Sequence, residues 1–73
     1  MKARKIEVHV ADNAEDMAID GAVLVDEFDT IKEAKARAKW WLTEEAQNRI
    51  ERTLRFGYSQ VIVDGVVRFD FGK

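Results

Sequence analysis

His9, Ser59 and a large set of carboxylates are the side chains from which a reactive site in this chain would have to be built. His9 stands two residues after Glu7 in an alternating stretch, so both project from one face of a strand. An imidazole so placed is a candidate general base or metal ligand. The chain offers it no second His and no Cys, so neither a zinc set nor a Cys-His pair can be assembled. Ser59 is the only serine, and it lies at the start of an apolar hairpin. Nucleophilic catalysis needs such a hydroxyl held by a base, and nothing in the spacing brings His9 to it. The acidic run from Asp12 invites a calcium-loop reading. Its third position is Ala14, its sixth is Met17 and its twelfth is Val23, where such a loop needs an oxygen ligand, Gly and Glu. The four glycines, Gly21, Gly57, Gly65 and Gly72, fall at turns or near the end and build no phosphate-cradling loop. No catalytic residue, metal ligand or cofactor is therefore expected, and the chain is read as a non-enzyme.

Charge is more informative than chemistry. The net charge is −2, which conceals a division along the chain. From Glu7 to Ile31 there are eight carboxylates and no Lys or Arg; from Lys32 to Arg55 there are seven bases and four acids. Asp12, Glu15, Asp16 and Asp20 form a candidate negative face for a basic partner, such as a nucleic-acid-handling enzyme. Lys32, Lys35 and Lys39, followed by Arg49, Arg52 and Arg55, form a helix flank able to neutralise phosphates. Nucleic-acid binding through that flank is the alternative to protein binding. The overall acidity and the lack of an aromatic stripe on the strands weigh against it.

The elements that must carry these residues are legible from periodicity. Seventy-three residues make one α+β domain with a small core. Lys5-Ile6-Glu7-Val8-His9-Val10 alternates, so it reads as a half-buried strand. Residues 11–21 connect it to a second strand, Ala22 to Phe28, through a short acidic helical turn opened by Asp12 and Glu15 and closed by Asp20-Gly21. Thr30 with Glu33 is a capping box for an amphipathic helix. Ile31, Ala34, Ala38, Trp41 and Leu42 form its buried stripe, with Trp40 on the outer side. Beyond Leu42 the apolar positions move to Ala46, Ile50 and Leu54. Either one long helix runs from Ile31 to about Arg55, about 37 Å at 1.5 Å per residue, or the helix breaks at Thr43. With no Gly or Pro inside it, the long form is the expectation, ending at Phe56 with Gly57 as a left-handed cap.

Val61-Ile62-Val63-Asp64-Gly65-Val66-Val67 is a hairpin signal. An uninterrupted pairing places Tyr58, Ile62, Val67, Phe69 and Phe71 toward the helix, and Val61, Val63 and Val66 on the other face. The expected fold is thus an antiparallel sheet of about four strands covered on one face by one long helix, in the order β-β-α-β-β.

Phe28-Asp29-Thr30-Ile31-Lys32-Glu33-Ala34-Lys35-Ala36-Arg37-Ala38 and Val63-Asp64-Gly65-Val66-Val67 together resemble the strand-cap-helix and hairpin grammar of very small phage- and prophage-encoded α+β proteins, anti-CRISPR inhibitors among them. The resemblance covers about a third of the chain. It implies a binding protein, an inhibitor or regulator of a host or defence protein, and assigns no functional residue.

The expected partner surfaces are apolar residues with no place in the core. Trp40, Ile50 and Leu54 lie on the helix, and Val23, Val25, Val61 and Val63 lie on the outer sheet face. An overhanging helix with Ile50 and Leu54 in water predicts a homodimer, since burying each is worth roughly 1.5–3 kcal/mol. No apolar run approaches the ~20 residues of a bilayer span. The basic start leads into a strand rather than an apolar signal segment. The absence of Cys suits a reducing compartment, so the cytoplasm is the expected location.

Overall fold

The computed structural model describes residues 4–51 and 55–72. In chain order the elements are β1 (Ile6–Ala11), α1 (Ala14–Asp20), β2 (Leu24–Phe28), α2 (Ile31–Trp40), α3 (Glu44–Arg49), β3 (Tyr58–Val63) and β4 (Val66–Gly72). The four strands form one antiparallel sheet in the order β2-β1-β3-β4. The α+β class and the four-stranded sheet are as the sequence predicts. The helices are not: there are three among the described residues, and the order is β-α-β-α-α-β-β.

α1 is a full short helix rather than a single turn. Its cap is Asn13, whose side-chain oxygen accepts from the Asp16 N–H at 2.7 Å. α2 begins with the Thr30 cap, although the Glu33 carboxylate meets the Thr30 hydroxyl rather than the Thr30 N–H of a full capping box. The Thr30 hydroxyl accepts from the Glu33 N–H at 3.1 Å and donates to the Glu33 carboxylate at 3.0 Å. Its buried contacts are Ala34 and Ala38, with Ile31, Trp41 and Leu42 partly buried against the same core.

The long helix does not form. Thr43 adopts extended dihedrals, φ −97° and ψ 163°, and its hydroxyl serves both sides of the break. It donates to the Trp40 carbonyl at 2.7 Å and accepts from the Ala46 N–H at 3.3 Å. One side chain thus adds a second bond to the Trp40 carbonyl, which also accepts from the Thr43 N–H, and satisfies an amide orphaned at the start of α3. The break turns Ala46 inward to complete burial, which a straight helix cannot do. The overhang that motivated helix-to-helix pairing of two copies is thereby removed. Ile50 is 37% exposed, and Leu54 lies outside the described residues.

β3 faces opposite to expectation. It is a central strand paired with β1 as Ile6↔Val63, Val8↔Val61 and Val10↔Ser59. Directly opposed residues share a face, so Val61, Val63 and Ser59 point with Ile6, Val8 and Val10 toward α2. Val61 and Val63 are core residues, 0% and 7% exposed, not an outer patch. On β4 the pairing is Ile62↔Val67 but Val61↔Phe69, so Arg68 is an extra residue in a bulge. The bulge returns Phe69 and Phe71 to the helix side while Val67 stays with Ile62 on the other. Val67 is 48% exposed and is no part of the core. The Asp64-Gly65 turn is as predicted, with φ of 52° and 84°.

Two further polar contacts fix the layers. The Ser59 hydroxyl donates to the Ala38 carbonyl at 2.9 Å in a fully buried setting, and the alanines of α2 let helix and sheet approach closely enough for it. Asp64 clasps the start of β1: its N–H donates to the Lys5 carbonyl and its carboxylate accepts from the Lys5 N–H. Gly57 is not a helix cap. A Cβ there would run into the Asp12 carbonyl oxygen, so Gly57 allows the chain entering β3 to lie against the β1–α1 loop.

Candidate functional site

The break at Thr43 leaves a groove between the two helices and the outer strand β2. One wall is α2, with Glu33, Ala36, Arg37 and Trp40. The other is α3, with Glu45, Arg49 and the adjoining Ile50. Asp26 and Phe28 of β2 form the floor, with Glu27 at the rim. The part of the groove between Glu33, Arg37 and Trp40 on one side and Glu45 and Arg49 on the other amounts to about 520 Å3 and is open to solvent. Ile50 continues the groove along β2 to a second depression bordered by Asp12, Val23, Leu24 and Phe56. Among the described residues the strip therefore combines exposed or half-buried apolar residues with five carboxylates, Asp12, Asp26, Glu27, Glu33 and Glu45, against two guanidiniums, Arg37 and Arg49.

Trp40 is its centre. The Arg37 guanidinium lies 4.4 Å from the Trp40 ring centroid. The Trp40 ring meets Trp41 edge-on at 4.9 Å, and Trp41 meets Phe56 edge-on at 5.9 Å. These pairs run from the groove into the core and hold Trp40 in place, since such edge contacts are worth about 0.5–1.5 kcal/mol each. Trp41 keeps its ring N–H buried with no hydrogen-bond partner. Neither Arg37 nor Arg49 forms an ion pair among the described residues, so both remain available to an incoming group.

Of the surface residues predicted from sequence, the fold gathers Trp40, Ile50, Val23 and Asp12 on this strip. Val25 is half exposed but points to the opposite face of β2, alongside His9. Glu15, Asp16 and Asp20 are on α1, which packs against β1 and β3 and borders neither depression. The sequence assigns no part in a partner surface to Asp26, Phe28, Arg37 or Glu45, gives Glu33 only its capping role, and places Arg49 on a phosphate-neutralising flank rather than in a groove. Their convergence depends on the helix break, and the one signal for it was Thr43-Glu44-Glu45 read as a helix start.

The chemistry-bearing residues do not meet. His9 Nε2 lies 3.6 Å from the Glu7 carboxylate on the sheet face away from α2, shielded from solvent and without a hydrogen bond. Gln60 donates to the Tyr58 hydroxyl at 3.0 Å, and that hydroxyl donates to Asp70 at 3.2 Å, on the same face. Ser59 is on the other face, engaged with Ala38. Among the described residues no three His, Asp or Glu side chains converge as a metal site requires, and no helix is long and apolar enough to cross a membrane. No protein family, curated protein or solved structure matches the chain.

Proposed function

We propose that this protein is a non-catalytic protein-binding module, and that its contact surface is the strip along β2 and α3 centred on Trp40. The partner segment is basic with an apolar anchor. The observation that carries the reading is the placing of Trp40 and Ile50 among five carboxylates and two guanidiniums. A half-buried Trp held by its neighbours is the typical anchor of an interface. The surplus of acid selects a basic partner and speeds its approach. A module of this kind fits an inhibitor or regulator encoded by a phage or other mobile element and acting in the cytoplasm.

The rival nucleic-acid reading loses support because its cations are divided. Lys35 and Lys39 face the β4 side, over Phe69 and Phe71, whereas Arg49 lines the groove on the β2 side. They do not make one phosphate track.

The test is affinity capture from the source cell with wild type, Trp40→Ala, Asp26→Asn/Glu45→Gln and, as a control on the opposite face, Val25→Thr. One stoichiometric protein held by wild type and Val25→Thr, but lost by the other two variants, is the expected result. Equal capture by all four would place the contact elsewhere. A salt-sensitive gel shift of DNA or RNA at sub-micromolar protein would favour the nucleic-acid reading instead.

A further inference from the structure

We propose that the opposite edge of the sheet, β4, is a second docking site, which takes an extended acidic strand from a protein partner. β4 is an outer strand of seven residues with no proline. It exposes Val66, Val67 and Phe69 at 59%, 48% and 37%. An exposed edge of this length and composition is a template for strand addition.

The open hydrogen-bonding positions follow from the turn. In a two-residue hairpin the closing pair, here Val63↔Val66, exchanges both backbone bonds. The next pair, Ile62↔Val67, is then the non-bonded one, and the Val67 N–H and C=O point outward to the free edge. Beside that edge, a depression between Phe69 and the Ile31–Ala36 side of α2 has room for an apolar side chain of an added strand.

Charge identifies the occupant. Lys32, Lys35 and Lys39 border this side, and the bulged Arg68 is on the strand itself. The Lys35 ammonium stands 4.3 Å from the Phe69 ring centroid and that of Lys39 stands 5.5 Å from Phe71. Both are held at the edge while keeping N–H groups for a carboxylate. Against these four cations β4 carries one carboxylate, Asp70, which accepts from Tyr58. Two copies joined β4 to β4 would bring their lysines and Arg68 together, a like-charge contact that opposes pairing. An alternating apolar and acidic strand satisfies the backbone, the depression and the cations at once.

The experiment uses the full chain and a fluorescein-labelled, capped octapeptide of alternating Val and Glu, followed by anisotropy. A peptide of alternating Val and Lys and a Val/Glu peptide N-methylated at alternate residues are the comparisons. Expected are binding of Val/Glu at least tenfold tighter than of either comparison, loss of at least tenfold with Val67→Pro, and a reversed charge preference with Lys35→Glu/Lys39→Glu. Val67→Pro removes only an outward donor, and the N-methylated peptide asks the same question with the protein unaltered. Equal binding of the N-methylated peptide, or of Val/Lys, overturns the proposal. So does a wild-type dimer that Val67→Pro dissociates, which would make the occupant a second copy, or displacement of Val/Glu by oligodeoxythymidine, which would make it a nucleic acid.

Discussion

β2 and β4 close the same sheet from opposite sides and have opposite characters. β2 and the turn after it carry Asp26, Glu27 and Asp29 with no base, and two helices flank a groove above it. β4 carries Arg68, lies beside three lysines and has no groove wall beyond α2. The source of the contrast is one helix. α2 presents Glu33, Arg37 and Trp40 toward β2, and Lys32, Lys35 and Lys39 toward β4. Its buried stripe, Ala34 and Ala38, runs between them over the inner strands. A near-neutral total therefore describes neither side. What the difference teaches is that the exposed apolar and charged residues, and with them both proposed contacts, gather along the outer strands, while the inner strands supply the buried core.

That division can be broken most severely at its centre. Val61→Ala on β3 should cost about 2–3 kcal/mol, since Val61 is fully buried and truncation leaves a cavity. Denaturant titration reads it, and a loss below about 0.5 kcal/mol would mean that the inner strands do not bear the load. Next in size is Trp40→Ala, expected to weaken capture at the β2 side by about 30-fold, the roughly 2 kcal/mol of an interface anchor, with the β4 probe unaffected. Calorimetry with both ligands separates the sides; equal losses at both would abolish the distinction. Thr43→Ala should cost about 1 kcal/mol through the lost cap and speed amide exchange in α3 but not in β4. Unchanged exchange in α3 would show that the break is held by packing alone. The smallest effect belongs to Val25→Thr, half exposed on the face away from α2, which should shift stability by no more than about 0.5 kcal/mol.

Local signals were readable in the chain and non-local ones were not. The Thr30–Glu33 cap, the Ala34/Ala38 stripe, the alternation of β1 and the Asp64-Gly65 turn each depend on neighbours within a few residues, and each is present. The orientation of β3 depends on its pairing with β1, about fifty residues away in sequence. The extra residue at Arg68 has no local mark, because Val-Val-Arg-Phe alternates plausibly in either register. The helix break was legible only as an option: Thr43 can sit inside a helix or cap one, and what decides is whether Ala46 gains burial by turning. The candidate site inherits that ambiguity. Trp40 and Ile50 stand out in the sequence as apolar residues left over by the stripe, whereas Arg37, Glu45 and Asp26 look like ordinary surface charge until the break sets them around one groove.

Gly57 and Gly72 meet at the end of the sheet far from the Asp64-Gly65 turn. A Cβ on Gly72 would strike the Gly57 carbonyl, as one on Gly57 would strike that of Asp12. Three stretches distant in sequence are thus laid main chain against main chain, with no side chain between them. At such a seam the forbidden quantity is volume, not polarity or charge. In a saturation scan of this protein, alanine at position 57 should be as poorly tolerated as lysine or tryptophan, whereas groove positions would rank substitutions by their chemistry. The seam also connects the exit of β1, the entry to β3 and the end of β4, so a swelling there would be felt on both sides of the sheet at once.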